Sequence, residues 1–350
     1  MLTASYKKHK LLFKNPSGTS RGVLTEKDSW FIVINDLEKP GLIGIGECSL
    51  LNHLSIDYLP DYEAKISFIC NNINTNGTEL FREIEAFPSI KFGLESALLD
   101  LEKGGKRCLF ESGFYIQGEG IPINGLIWMG STDNMKKQLK DKVDKGFGCI
   151  KIKIGSLDFN EELDFLRFLR KEYGYGIELR LDANGAFLPA DAAEKLNRLS
   201  EYRIHSIEQP IRQGQITEMA RICRTSPIPV ALDEELIGIA EAKQEELLQL
   251  IRPQYIILKP SLLGGFAASD KWIALAEKMN MGWWITSALE SNIGLNAIAQ
   301  YASSKNPRIP QGLGTGALFT NNIPSPLEVI GEQLFYLHEK PWQTESIVHV

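Results

Sequence analysis

Five short charged segments recur through the middle of the chain at nearly constant spacing. They are Lys151-Ile152-Lys153, Asp182-Ala183-Asn184, Glu208-Gln209, Asp233-Glu234-Glu235 and Lys259-Pro260. From Lys153 to Lys259, the charged residues that mark these segments follow one another after 29, 26, 25 and 26 residues. Such a spacing accommodates one β-strand, one α-helix and the two loops that join them. We therefore expect the segments to occupy equivalent positions in a repeated βα unit.

The acidic residues of this series predict a metal site. If Asp182, Glu208 and Asp233 lie on adjacent strands, their carboxylates converge and raise one another's pKa values unless a cation lies between them. Oxygen ligands suit a hard divalent ion, so we expect Mg²⁺ first and Mn²⁺ second. Asn184 should support Asp182 from two residues further on, whereas strand alternation predicts that Glu234 points away.

A single acidic residue after a strand is more often a helix cap or a solvated loop end than a ligand. A single lysine at a strand end is more often a solvated surface group. Five charged segments at one period, placed where the strands of a buried sheet end, are not explained in that way. The pattern as a whole therefore favours a functional site.

The lysines of the series predict a base. Lys151 and Lys153 lie on one face of a strand, and their like charges, together with the metal, should lower both pKa values. A neutral amine can then accept a proton near pH 7. Lys259 should face them from the opposite side of a closed ring. Such a site would bind a small-molecule carboxylate, remove its α-proton and stabilise the resulting enediolate.

The elements that position these residues can also be predicted. From residue 121 onward, strands alternate with helices, and the expected strands are Ile121–Trp128, Cys149–Ile154, Ile177–Leu181, Ser206–Glu208, Pro229–Asp233, Tyr255–Lys259, Trp283–Ser287 and Pro310–Leu313. Eight such units most simply close into a (β/α)₈ barrel of the TIM type, in which functional residues lie at the carboxyl ends of the strands. An open doubly wound sheet is the alternative, but no GxGxxG or GxxxxGKS/T motif supports it.

The first third of the chain predicts a separate α+β unit. Its expected strands are Leu11–Phe13, Ser29–Asn35 and Leu42–Glu47, and its expected helices are Asp61–Asn71 and Pro88–Lys103. The polar, glycine-rich segment Asn15–Gly22 predicts a mobile loop. We expect this loop to close over the barrel mouth and exclude water from the charged intermediate.

Composition narrows the class of protein. The 350 residues carry a net charge of −6, with 43% hydrophobic and 23% charged residues, as in a folded globular protein. The acidic balance argues against a nucleic-acid partner, and no apolar run reaches the roughly 20 residues that span a membrane. The basic N-terminus lacks the apolar stretch of a signal peptide, and the five cysteines form no CxxC pair. We expect a cytoplasmic protein, and no sequence feature indicates its oligomeric state.

The ordered set of charged motifs resembles the enolase superfamily over essentially the whole chain. This resemblance implies a capping domain at residues 1–115, a (β/α)₈ catalytic barrel at 116–315 and a C-terminal segment at 316–350 that returns to the capping domain. It also implies roles for single residues. Asp182, Glu208 and Asp233 would bind Mg²⁺, Lys153 would be the base, Lys259 would stabilise the intermediate, and Lys151 would tune Lys153.

Further motifs are most similar to the o-succinylbenzoate synthase family within that superfamily. They are Gly18–Leu24, Gly44–Glu47, Asp182–Gly185 and Ser287–Ser291. This similarity implies the syn dehydration of 2-succinyl-6-hydroxy-2,4-cyclohexadiene-1-carboxylate to 2-succinylbenzoate in menaquinone biosynthesis. The substrate-binding residues that it implies are Ser20, Arg21, Asn184, Ser287, Glu290, Gly314 and Thr315.

Three other functions remain open at this point. A dipeptide epimerase or N-acylamino acid racemase on the same scaffold would use both lysines, one on each face of the α-carbon. Resemblance to the dipeptide epimerases would imply an Asp-x-Asp motif at the eighth strand. This chain has Gly312–Gly316 at that place, without a carboxylate. A metal-free lyase would use Lys259 as a Schiff-base nucleophile. The third alternative function is non-catalytic binding of a small molecule. The complete set of lysines and carboxylates argues against this alternative.

Overall fold

The computed structural model describes residues 1–19 and 22–348. The N-terminal part of the chain forms a three-stranded antiparallel sheet. Its strands β1 (Leu2–Thr19), β2 (Gly22–Asp36) and β3 (Ile43–Ser49) lie in that order. The centre of β2 is buried on both faces. Trp30 and Ile32 pack against helices, whereas Phe31 packs against Ile293 on the other side. This double burial explains why β2 is continuously apolar there instead of alternating.

Four helices follow this sheet: α1 (Tyr62–Asn71), α2 (Gly77–Glu83), α3 (Pro88–Glu102) and α4 (Gly113–Ile116). Helix α3 lies directly on β3. A Cβ atom at Gly46 would lie 1.9 Å from the carbonyl oxygen of Gly93, so only glycine permits this approach. The two helices predicted here, α1 and α3, are confirmed to within one residue at each end, whereas α2 was not predicted.

Seven parallel strands form the second sheet, in the order β11-β10-β9-β8-β7-β6-β5. They are β5 (Gly125–Ile127), β6 (Cys149–Lys153), β7 (Glu178–Asp182), β8 (Ile204–Glu208), β9 (Val230–Leu232), β10 (Tyr255–Leu258) and β11 (Gly282–Ile285), and β4 (Ile121–Pro122) precedes them. Because every neighbouring pair is parallel, all seven carboxyl ends lie at one edge.

Helices connect these strands. They are α5 (Thr132–Asp144), α6 (Phe159–Tyr173), α7 (Pro189–Ser200), α8 (Ile216–Thr225), α9 (Glu241–Ile251), α10 (Pro260–Leu263), α11 (Phe266–Lys278) and α12 (Asn292–Ser304), with a short 3₁₀ helix at Glu234–Leu236. Three of these helices begin with a side-chain cap. Backbone N–H groups at the starts of α5, α6 and α12 donate hydrogen bonds to the side chains of Ser131, Asp158 and Ser291, respectively. The predicted alternation of strand and helix is therefore confirmed.

The two outer strands of the parallel sheet approach the same short segment. Gln311 forms an isolated parallel bridge with Ile123, and Gly312 forms one with Thr286. In the described chain these are single bridges, and the regular parallel sheet has seven strands. The predicted eighth strand at Pro310–Leu313 is thus present as two isolated bridges and not as a strand of the regular sheet. Proline has no N–H group for a strand ladder, which is one reason why this segment is irregular.

The C-terminal part forms a third sheet with β4 and also contacts the first sheet. Strands β12 (Leu327–Ile330) and β13 (Gln333–Tyr336) form a hairpin that pairs with β4, so the predicted strand Ile121–Trp128 is divided between two sheets. Helix α13 (Glu345–Val348) places Ile347 against Phe31 of the first sheet. No helix in the described residues is long and apolar enough to cross a membrane.

The segment predicted as a loop between β1 and β2 is largely strand. Residues 15–19 belong to β1, Ser17 pairs with Leu24, and Gly18 also bridges to Met129. The polar side chains thus extend a hairpin, and a shift of register before Ser17 absorbs their irregular spacing. The loop assignment is wrong for these residues. Ser20 and Arg21, two of the predicted substrate-binding residues, lie outside the described residues.

Candidate active site

The carboxyl edge of the seven-stranded sheet carries all five charged segments. Strands β6, β7 and β8 end at Lys153, Asp182 and Glu208, and the sheet register places Lys153 opposite Asp182 and Asp182 opposite Glu208. Asp233 directly follows β9, and Lys259 directly follows β10. The three acidic residues are 0%, 1% and 2% exposed in chain order. The even spacing in the sequence thus becomes a row of buried side chains at one height.

Two lysines meet the carboxylates at one end of this row. Lys151 donates from Nζ to Oε2 of Glu208 at 2.7 Å, and the same Nζ lies 3.0 Å from Oδ2 of Asp182. Lys153 donates to Oδ2 of Asp182 and to Oδ1 of Asn184, both at 2.8 Å. The carboxylates of β7 and β8 are therefore paired with positive charge from β6.

Lys259 approaches from the other end of the row. Its Nζ donates to Oδ2 of Asp233, and the strands β7, β8 and β9 separate it from Lys153 in the sheet order. Both lysines nevertheless line the same cavity. The structure thus places lysines on two sides of one space, with buried carboxylates between them.

The three lysines differ in their electrostatic surroundings. Burial lowers the pKa of Lys153, and the nearby Lys151 ammonium lowers it further, against the opposing effect of Asp182. Burial alone would lower the pKa of Lys151 too, but Asp182 and Glu208 outweigh burial and raise that pKa. The predicted lowering of the pKa, which included the effect of a bound metal ion, holds for Lys153 and not for Lys151, because two carboxylates face the Lys151 ammonium. In Lys259, the nearby carboxylates likewise outweigh burial and raise the pKa.

The donor set of the carboxylates fits a divalent cation. Burial and the neighbouring Asp182 raise the pKa of Glu208 well above its usual range, and its buried Oε1 has no hydrogen-bond partner among the described residues. A cation held by Asp182, Glu208 and Asp233 would satisfy this oxygen and offset the repulsion. Within residues 1–19 and 22–348, no three acidic, histidine or cysteine side chains are arranged as a formed metal site. Lysine ammonium groups contact these carboxylates instead.

Asn184 and Glu234 extend this network. Asn184 has a left-handed backbone with φ of 44°, and its Nδ2 donates to Oε1 of Glu234 at 3.0 Å. The prediction that Glu234 points away is wrong. Strand β9 ends at Leu232 and Glu234 begins the 3₁₀ helix, where strand alternation does not apply. Its place directly after Asp233 was the only sequence signal for its involvement.

Hydroxyl groups form another wall of the cavity. Thr315 donates from Oγ1 to Oγ of Ser287 at 2.9 Å, and Ser287 donates to Oε2 of Glu290 at 2.6 Å. Gly314 lines the same wall. Glu290 is fully buried behind Ser287 and is not among the described residues that line the cavity. Its carboxylate orients Ser287, so the predicted role of Glu290 in substrate binding would act through the Ser287 hydroxyl.

The remaining walls are apolar. They consist of Leu24, Leu51 and Leu54 from the N-terminal part, and of Leu126, Trp128, Ala288 and Leu289 from the parallel sheet and its loops. Nζ of Lys153 lies 5.7 Å from the centre of the Trp128 ring. None of these apolar residues was predicted as a site residue. A cavity with charged groups on one side and leucines on the other suits an organic anion with a hydrocarbon body.

Comparisons with known proteins identify the family of this chain. The family described as Enolase C-terminal domain-like matches residues 134–330. The o-succinylbenzoate synthase of Desulfotalea psychrophila is 45% identical over 93% of this chain and 97% of its own length. A D-Ala-D/L-Ala epimerase of Cytophaga hutchinsonii is 30% identical over 83% of this chain and 80% of its own length. The chain belongs to the enolase superfamily.

Among the solved structures, the relative from D. psychrophila is again more similar to this chain than the epimerase is. The crystal structure of MenC from D. psychrophila has a TM-score of 0.85 and 42% identity, and the match covers 95% of this chain and 99% of that one. A dipeptide epimerase from C. hutchinsonii, in complex with Mg and D-Ala-L-Val, has a TM-score of 0.83 at 22% identity, covering 99% and 97%. The epimerase shares the fold. Between these two proteins, the chain is more similar to the D. psychrophila protein in sequence and in structure.

Proposed function

We propose that this protein acts as an o-succinylbenzoate synthase. It would remove water from 2-succinyl-6-hydroxy-2,4-cyclohexadiene-1-carboxylate and form 2-succinylbenzoate in menaquinone biosynthesis. The observation that carries the proposal is the placement of Lys153 and Lys259 on two sides of one cavity, each paired with a buried carboxylate. The 45% identity to a curated synthase supports the choice of substrate.

Lys153 is the proposed base. Because burial and Lys151 lower its pKa, Lys153 loses its proton more easily than Lys151 or Lys259 does. It would accept the proton from the carbon that bears the substrate carboxylate. As an ammonium, it would then give that proton to the hydroxide that leaves the adjacent carbon. One lysine serves both transfers when the proton and the hydroxide leave from the same face of the ring.

The other two lysines would supply charge. Asp233 and other nearby carboxylates raise the pKa of Lys259, which would therefore remain an ammonium and stabilise the negative charge left by proton removal. Lys151 is held as an ammonium by Glu208 and Asp182 and would keep the pKa of Lys153 low. Formation of an aromatic ring makes the elimination favourable, so little beyond proton transfer is required.

Asp182, Glu208 and Asp233 are the proposed ligands of Mg²⁺, with Mn²⁺ as a substitute. When bound, the ion supplies positive charge to the substrate carboxylate as negative charge accumulates there. The dipeptide epimerases of Enterococcus faecalis and C. hutchinsonii, which share the fold, are crystallised with Mg. The proposed contacts to the remainder of the substrate are Ser20, Arg21, Asn184, Ser287, Gly314 and Thr315.

We propose that residues 310–313 complete a closed (β/α)₈ barrel, because Gln311 bridges to Ile123 just before β5 and Gly312 bridges to Thr286 just after β11, at opposite ends of the strand order. The proposed domains are a capping domain at 1–115, the barrel at 116–315 and a returning segment at 316–350. A cytoplasmic location fits the five cysteines, which are all free.

A racemase or epimerase is the second candidate. Both lysines are in place for it, and the C. hutchinsonii epimerase is 30% identical. To distinguish the two candidates, the purified protein is incubated with Mg²⁺ and either the cyclohexadiene substrate or one of a panel of dipeptides and N-acylamino acids. Efficient formation of 2-succinylbenzoate is the expected result. Efficient racemisation of the panel with negligible loss of water from the cyclohexadiene would assign the protein to the second candidate.

A further inference from the structure

Leu289 has an unusual backbone conformation at the edge of the cavity. Its φ angle is 62°, in the left-handed region that leucine rarely adopts. Its side chain lines the cavity. A conformation of this kind persists only where the surrounding contacts hold it, and it often occurs where a side chain must be aimed at a ligand.

Buried side chains hold both polar groups of the Leu289 backbone. The carbonyl oxygen accepts a hydrogen bond from Nζ of Lys27 at 2.9 Å, and the N–H donates to Oγ of Ser287 at 3.0 Å. Ser287 in turn donates to Oε2 of Glu290, while Ser261 donates to Oε1. Lys27 thus holds the carbonyl group of the leucine directly, and Glu290 holds its N–H group through Ser287.

Lys27 reaches this position from the other sheet. It lies on β2, is 6% exposed and also donates to Ser49. Burying an ammonium is costly unless it is hydrogen-bonded and close to negative charge, which Glu47 and Glu290 provide here. An apolar side chain would fill the same space at lower cost. The contact with the Leu289 carbonyl therefore points to a role beyond packing.

We propose that Lys27 and Glu290 are positioning residues that hold Leu289 in its left-handed conformation, so that its side chain lies against the ring of the substrate. This inference rests on the proposed function, because the ring is that of the cyclohexadiene carboxylate. When either residue is lost, Leu289 relaxes to an ordinary φ angle and its side chain leaves the wall. Substrate affinity then falls, while Lys153 and the metal ligands stay in place.

The test uses single variants that remove charge and keep shape. Lys27→Met and Glu290→Gln should each raise KM about tenfold, as expected for loss of a charged hydrogen bond. The kcat should stay within about threefold, and Kd for the product 2-succinylbenzoate should weaken by the same factor as KM. Leu289→Gly should raise KM to a similar extent, because it removes the side chain.

A double variant separates positioning from general stability. Glycine adopts a φ of 62° without help, so Lys27→Met should cause no further rise in KM when combined with Leu289→Gly. Glu290→Gln with Leu289→Gly gives the same test if Lys27→Met does not fold. A purely structural role would lower Tm equally in both backgrounds and would add its effect on KM to that of Leu289→Gly, which would overturn the proposal.

The control is Glu95→Gln. Glu95 accepts hydrogen bonds from the N–H groups of Phe266 and Ala267 and does not line the cavity, so its loss should leave KM unchanged. Unchanged KM in folded Lys27 and Glu290 variants, or lower kcat at constant KM, would overturn the inference alone. Failure of the proposed function would be visible in the wild-type protein, which would then form no 2-succinylbenzoate, and the inference would fail with it.

Discussion

Glu208 meets Lys151 through only one of its carboxylate oxygens. Oε2 lies 2.7 Å from Nζ of Lys151, whereas Oε1 is buried and accepts no hydrogen bond from the described residues. A buried oxygen without a partner is costly. The lysine therefore balances the charge of Glu208 without satisfying both oxygens, and a metal ion bound beside it would do so.

Removal of divalent ions should abolish activity. We expect EDTA to stop the formation of 2-succinylbenzoate, and Mg²⁺ or Mn²⁺ to restore it. Asp182→Asn, Glu208→Gln and Asp233→Asn should each weaken Mg²⁺ binding, measured by titration calorimetry, because each removes a charged oxygen ligand. Full activity after exhaustive chelation would rule out this role of the carboxylates.

The two lysines of the cavity should differ in their effects. Lys153→Ala should abolish dehydration, because no other group would carry the proton. Lys259→Ala should lower kcat by roughly 10²–10³-fold, as for loss of a group that stabilises a developing charge. Both effects are checked by measuring kcat at saturating concentrations of substrate and Mg²⁺. Borohydride treatment should trap no adduct on Lys259, and a substrate-dependent adduct would instead support a Schiff-base mechanism.

Glu47 should be important for stability, because it connects the first sheet to the start of helix α12. It is fully buried and accepts hydrogen bonds from Oγ of Ser29 at 2.7 Å, the N–H of Ser291 at 2.9 Å and the N–H of Gly294 at 3.0 Å. Glu47→Ala leaves these donors without an acceptor. We expect a loss of roughly 3 kcal/mol or more in the free energy of unfolding, measured with urea. Glu172→Ala, at an exposed position of α6, should have little effect.

Gly46→Ala tests the contact between α3 and β3. The new Cβ would lie 1.9 Å from the carbonyl oxygen of Gly93, so a backbone must move, and we expect a lower Tm and less soluble protein. Gly77→Ala is the matched control. Apart from its own chain neighbours and the backbone of its own helix, no atom of the described residues lies within 4 Å of a Cβ at Gly77, which begins α2, so this change should be neutral or slightly stabilising. Equal Tm values for the two variants would contradict the packing argument.

The sequence by itself determined the repeated strand and helix pattern and the row of charged residues at the strand ends. Both are local properties: one βα unit follows another, and Lys153, Asp182 and Glu208 end successive strands in register. The same pattern predicted the lysines on two sides of a common space. Local pattern was insufficient where strands become irregular, as at Pro310–Leu313 and after Leu232.

Only the tertiary structure decided the electrostatic differences and the contacts between distant segments. Lys151 and Lys153 are equivalent in the sequence, yet two carboxylates face Lys151, so its pKa is raised while that of Lys153 is lowered. Lys27 and Leu289 are 262 residues apart, and no periodicity relates them. Such contacts depend on how one sheet packs against the other. They arise from the combined geometry of many residues, which a pattern of single residues along the chain does not contain.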